Sequence, residues 1–247
     1  MKIELRDQFL RKWKTYFGDA ELPVVFYYTD DPGTIPRAGL SHDWSCIVCE
    51  LNLVRKGKPR AWNAKSLGCG GARRYFGYEK GMRPNFEYFL SHGIPDEMEG
   101  ERYIKTPEMV KEIMAGMDCI PAADKYIVFK RIDQVVQSDE AIAAIFFATP
   151  DVLSGLYTLA NFDRTDGLGV IAPFGSGCSS IVYHPYFQNE TEDPKAVLGM
   201  FDVSARPCVP RNTLSFSVPI KRLETIVGYM DESFLITPSW ETVKKRL

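Results

Sequence analysis

Two short segments, Gly68-Cys69-Gly70-Gly71-Ala72 and Gly175-Ser176-Gly177-Cys178-Ser179-Ser180, each close a run patterned as strand, helix and strand. That recurrence is the strongest constraint on how the chain folds. In the first run, Val24 to Thr29 is rich in β-branched and aromatic residues and ends on the turn-forming Asp30-Asp31-Pro32-Gly33. Ile47, Leu51 and Val54 then share one face of a helix that Gly57 ends, and Arg60 to Asn63 makes a short strand. In the second run, Ala144 to Ala148 is a strand, Thr149-Pro150-Asp151 opens a helix through about Asn161, and Leu168 to Ala172 is a strand. Later still, Phe129-Lys130-Arg131-Ile132-Asp133-Gln134-Val135-Val136 parallels Ile220-Lys221-Arg222-Leu223-Glu224-Thr225-Ile226-Val227 residue class by residue class. The spacing predicts an internal repeat, about 22–136 and 143–228, folded as one α+β domain over 1–247. The two strand-helix halves are expected to share a mixed sheet and a pseudo-twofold axis, with Cys69 and Cys178 in equivalent places. An amphipathic helix over 3–17, stopped by Gly18, precedes the repeat, and a helix opened by Thr106-Pro107-Glu108 runs to about Met117. Residues 81–105 read as loop.

Composition narrows the function class without naming a reaction. The 247 residues are 45% hydrophobic and 25% charged, which excludes a disordered chain or a coiled coil. A net charge of -2 supplies no global field toward nucleic acid or anionic membrane, so neither is an expected partner. Met1-Lys2-Ile3-Glu4-Leu5-Arg6-Asp7 lacks the apolar stretch of a signal peptide, and the longest apolar run, Ala141 to Ala148, falls far short of the ~18 residues of a spanning helix. A cytoplasmic protein is expected, in which the six cysteines remain thiols. Whether the chain is an enzyme, and in what oligomeric state it works, is left open by these features.

The cysteines carry the chemistry. Cys46-Ile47-Val48-Cys49 places two thiols at i and i+3 on one side of a helix, where they bind one metal, cycle through a disulfide, or simply pack as small apolar groups. A thioredoxin-like motif is incomplete because Trp44 stands one residue too far upstream, and a zinc ribbon is incomplete because Cys69 is followed by Gly70, Gly71 and Ala72. The two Gly-Cys loops lead toward helix N-termini, where a thiolate is favoured, so Cys69 and Cys178 are the expected reactive or ligating thiols. The predicted metal ligands are therefore Cys46, Cys49, Cys69 and Cys178, holding an iron–sulfur cluster or zinc. His42, four residues before Cys46, is the histidine best placed to join them.

The competing expectation is an anionic small molecule bound in a cleft between the halves. Its contacts would be Gly68, Gly70, Gly71, Arg73, Gly177, Ser179 and Arg206, drawn from residues 66–74 and 174–180 together. No acidic residue is evident at the end of a strand following the Gly175 segment, as a dinucleotide fold requires, and Gly175-Ser176-Gly177 is not a serine elbow.

The strand at Val24 to Thr29, the Cys49 to Gly57 helix, Cys69-Gly70-Gly71-Ala72, the Phe146 to Asp151 strand and turn, and the Cys178 loop together resemble the ArCR family, domain of unknown function 169. The resemblance spans roughly Pro23 to Tyr229. It implies a cytoplasmic prokaryotic protein without an established biochemical role and supplies no catalytic residues. Many members carry a further cysteine shortly before the arginine matching Arg206, where this chain reads Asp202-Val203-Ser204-Ala205-Arg206.

Overall fold

A computed structural model describes residues 1–40, 45–122 and 125–247. The first helix, α1 (Ile3–Phe17), buries Leu5, Phe9, Trp13 and Phe17, one residue per turn, and stops at Gly18, whose φ of +63° suits a residue without a β-carbon. The strand β1 (Val24–Thr29) follows and becomes the centre of the sheet. Its side chains alternate: Val24 and Phe26 enter one core, Val25 the other. Burial on both faces explains why this strand reads as an unbroken apolar run rather than a polar alternation.

Six further strands follow among the described residues: β2 (Arg60–Trp62), β3 (Tyr126–Arg131), β4 (Ala143–Ala148), β5 (Val170–Ile171), β6 (Ala196–Gly199) and β7 (Leu214–Pro219). With β1 they form one mixed sheet in the order β2-β3-β1-β4-β7-β6-β5. All neighbouring pairs are antiparallel except β5 with β6. One face packs on α2 (Ile47–Arg55), α3 (Gly70–Tyr75) and a π-helical turn over Ser179–Tyr183, through Ile47, Leu51, Tyr75, Ile181 and Val182. The other packs on α1 and on three further helices, through Leu156, Leu223 and Trp240. Helix packing on that second face is close: a β-carbon at Gly155 would lie 2.5 Å from Trp240 and 2.9 Å from Phe17.

The α+β class, mixed sheet and outer helices agree with the sequence reading. The internal duplication is not shown. The strands β3 and β7 flank the central pair β1 and β4, but β6 intervenes between β7 and β5 with no counterpart between β3 and β2, and the helices break the symmetry further. The helix after β1 packs on the sheet face opposite to that covered by the helix after β4, Pro150–Leu159. The paired segments also differ, since residues 129–136 end a strand and turn through Ile132–Gln134, whereas Ile220–Tyr229 is an α-helix. Their shared sequence pattern is an apolar, basic, acidic order that suits either conformation when one side faces a core.

Among the described residues, no helix is long and apolar enough to cross a membrane.

Candidate functional site

Four chain segments bring cysteines to the α2–α3 face of the sheet. Cys46 immediately precedes α2 and Cys49 lies in its first turn. Cys69 immediately precedes α3, and Cys178 immediately precedes the π-helical turn. The fourth segment, the loop between β6 and β7, carries Cys208, which forms a disulfide with Cys49 across 159 residues of sequence. Cys46, Cys69 and Cys178 are free thiols, the first two half-buried and the third buried. A π-helical turn is rare and commonly marks a functional site; here it directly follows a cluster thiol.

Gly71 marks where two of these thiols meet. A β-carbon on it would lie 3.6 Å from the sulfur of Cys69 and 3.8 Å from that of Cys178, so the sulfurs are separated by no more than the sum of those distances. Cys46 is close enough to both to be coupled to them electrostatically. Around the thiols, Ser176 Oγ stands 3.1 Å from Cys178 Sγ. Asp202, 7% exposed, accepts from the Gly177 and Ser204 N–H groups at 3.1 and 3.0 Å and so ties the Cys178 loop to the β6–β7 loop. Just before it, Met200 adopts φ +70° and packs where Gly177 leaves room, a β-carbon there lying 3.1 Å from the Met200 sulfur.

Electrostatics oppose one expectation. The Cys178 thiol is pushed well above the ordinary cysteine value, first by burial and then by the neighbouring Cys69 thiol, with Cys46 and Asp202 adding to it. Ser176 opposes these effects by hydrogen bonding, without reversing them. Cys178 is therefore a protonated, unreactive thiol in this state, because desolvation outweighs any help from the following turn. Burial also raises Cys46, opposed by the N–H groups of Val48 and Cys49. Tyr75, beside Cys178 and Ser176, is pushed up to about 12 by burial.

The remaining predicted residues divide clearly. Gly70 and Gly71 belong to the first turn of α3 rather than to a loop, and nothing lies within 4 Å of a β-carbon on Gly70. Gly68 is half-buried just before Cys69. Ser179 is buried and spends its hydroxyl on the Ser176 carbonyl at 2.7 Å. Arg73 stands 3.0 Å from the Glu79 carboxylate. Arg206 donates to the carbonyls of Thr213 and Arg211, fixing the β6–β7 loop. The expectation that every cysteine is a thiol is corrected by the Cys49–Cys208 disulfide, which also removes Cys49 from the four-cysteine ligand set as it stands. Among the described residues, no three His, Cys, Asp or Glu side chains are placed together closely enough to hold a metal. His42 lies outside the described residues.

Sequence reasoning missed Cys208, Asp202, Ser176 and Tyr75. No local motif contains Cys208, because its partner is 159 residues away. Two cavities open elsewhere on the molecule. One of about 530 Å³ is lined by Glu21, Arg55, Thr149, Asp151 and Arg246, and one of about 590 Å³ by Leu153, Tyr157, Arg206 and Arg211 among others. Neither includes a residue from 66–74 or 174–180.

His184, next along the chain from the π-helical turn, is held at about 4 by burial, against an ordinary 6.5. The unfolded chain binds this proton near pH 6.5 and the folded one only near 4, so stability falls as pH drops between those values. The sum over the window is up to about 3 kcal/mol. Urea unfolding of the wild type and His184→Asn at pH 6.5 and pH 4 should show a smaller pH loss in the variant; equal losses would assign the effect to other groups.

The fold and site define a layered α+β protein with a cysteine cluster on one face of its sheet. The chain belongs to the uncharacterised ArCR family, domain of unknown function 169, which it matches over residues 16–228. No curated protein and no solved structure matches it.

Proposed function

We propose that the chain binds a thiophilic metal ion or an iron–sulfur cluster through Cys46, Cys69 and Cys178, with Cys49 or Cys208 as a further donor once their disulfide opens. The observation that carries this reading is convergence: five of the six cysteines, from four separate segments, meet on one face of the sheet. Structural packing needs apolar volume there, and alanine or valine would supply it; thiols in this number supply soft ligands. Burial, with the neighbouring Cys69 thiol second, keeps Cys178 protonated, and a bound cation offsets both, since coordination deprotonates a thiol outright. Ligation requires the three thiols to close in on the ion, and the absence of a β-carbon at Gly71 leaves room beside the Cys69 and Cys178 sulfurs, which would lie 3.6 and 3.8 Å from it.

The anion-cleft reading has less support. Arg73 is paired with Glu79, Arg206 is engaged by backbone carbonyls, and Arg74 donates to the Asp118 and Met117 carbonyls at 3.1 and 3.0 Å.

The test begins with anaerobic purification and analysis of iron, sulfide and zinc, followed by Co²⁺ titration of the reduced, metal-free protein. Thiolate-to-cobalt absorption is expected in the wild type and in Arg73→Ala with Arg206→Ala, and is expected to disappear in Cys69→Ser with Cys178→Ser. A folded, reduced wild type that carries no metal and takes up no Co²⁺ would reject the proposal.

A further inference from the structure

The Cys49–Cys208 disulfide is asymmetric in its surroundings. Cys49 is exposed, whereas Cys208 is 8% exposed and turned from the β6–β7 loop into the core. Of the two half-cystines, Cys49 is the one that solvent reaches, and exposed disulfides are the exchangeable ones. The segment carrying Cys208 is also held by contacts independent of the bond. Arg206 donates to the carbonyls of Thr213 and Arg211, and Asn52 Nδ2 donates to the carbonyl of Cys208 itself at 3.1 Å. Asn52 lies three residues after Cys49 on α2, so the helix bearing one sulfur grips the backbone bearing the other. Opening the bond therefore leaves the two cysteines in register for closure.

We propose that Cys49–Cys208 is a reversible thiol–disulfide exchange site whose reductant is a dithiol, with Cys49 as the attacked sulfur and Cys208 as the leaving group. One thiolate of the dithiol bonds to Cys49 Sγ while the Cys49–Cys208 bond breaks, and Cys208 departs with the electron pair and takes a proton. The second thiol of the reductant loses its proton and attacks the reductant's own sulfur in the mixed disulfide. Cys49 is then released as a thiolate and protonated. Two electrons and two protons pass from the dithiol, which becomes a disulfide, to Cys49 and Cys208. No metal takes part in the exchange; only the further donor of the cofactor reading depends on it, and metal uptake through Cys46, Cys69 and Cys178 is tested separately.

The experiment uses the full, oxidised chain in the presence of a chelator. Brief exposure to glutathione, alkylation of free thiols and peptide mapping are expected to place the glutathione adduct on Cys49 and a new free thiol on Cys208. Dithiothreitol without denaturant is expected to free both thiols with the circular dichroism spectrum retained, and its removal in air to restore the same pair. The proposal is overturned by an adduct on Cys208, by a bond that resists dithiothreitol until urea is added, or by a reduced chain that loses its fold or re-pairs differently. Because the wild type is the reagent throughout, no outcome depends on a variant that fails to fold.

Discussion

Lys130→Met is expected to remove about 3–5 kcal/mol of unfolding free energy, the range for stranding one partner of a buried ion pair. Lys130 Nζ lies 2.7 Å from Asp139 Oδ2, and the two side chains are only 7% and 5% exposed. The same carboxylate oxygen accepts from the Val136 N–H at 2.8 Å, so Asp139 closes the loop between β3 and β4 onto the sheet. Tyr27 completes the surroundings: the ammonium stands 5.5 Å from its ring, and burial followed by its hydrogen bond to Asp139 pushes its hydroxyl well above the ordinary value. With methionine at 130, the buried Asp139 carboxylate keeps the Val136 N–H but loses its directly paired ammonium, and the Met1 amino group nearby donates to the Asp139 backbone carbonyl rather than to the carboxylate. Chemical denaturation measures the loss. Pairing Lys130→Met with Asp139→Leu separates the cause, because removing both charges should recover much of what either single change forfeits. A double variant as unstable as the sum of the single ones would show that packing, not stranded charge, sets the effect.

Much of the fold was legible because local chemistry and tertiary demand agree. The Leu5, Phe9, Trp13 and Phe17 spacing needs only one apolar surface to become α1, and Thr106 caps the helix Pro107–Ala115 by accepting from the Met109 N–H, as Thr106-Pro107-Glu108 implies. The doubled Gly-Cys segments did mark the two places where the chain brings Cys69 and Cys178 together around Gly71. What stayed hidden was long-range. Cys208 sits in a loop without periodicity, and Asp202 looks like any surface acid until the Gly177 N–H is found on it. Arg206 reads as an anion contact because a guanidinium pairs with phosphate or carboxylate, yet its donors are spent on the Thr213 and Arg211 carbonyls of its own loop. The repeat reading failed to extend to the helices because class-by-class similarity between 129–136 and 220–227 records which side is apolar, not whether the backbone is strand or helix.

Gly71→Ala is expected to raise stability while lowering metal affinity, two effects of opposite sign from one methyl group. At 3.6 and 3.8 Å from the Cys69 and Cys178 sulfurs, the new carbon makes ordinary contacts in the metal-free protein and strains nothing. Its loss of backbone freedom in the unfolded chain should add roughly 0.4–1 kcal/mol to stability. An ion bound by those two sulfurs on the Gly71 side, at bond lengths of about 2.3 Å for zinc, competes with the methyl group for the same space. Co²⁺ or Zn²⁺ affinity should accordingly fall by roughly a hundredfold, equivalent to about 2.7 kcal/mol. Gly70→Ala is the control: it adds the same group to the same helix turn with nothing within 4 Å, and its affinity should match the wild type. Competitive titration against a chromophoric chelator reads both variants, and thermal unfolding of the metal-free proteins reads the stability change. If Gly71→Ala binds as tightly as Gly70→Ala, the metal does not sit between Cys69 and Cys178, and the remaining sulfurs of Cys46, Cys49 and Cys208 would have to hold it without them.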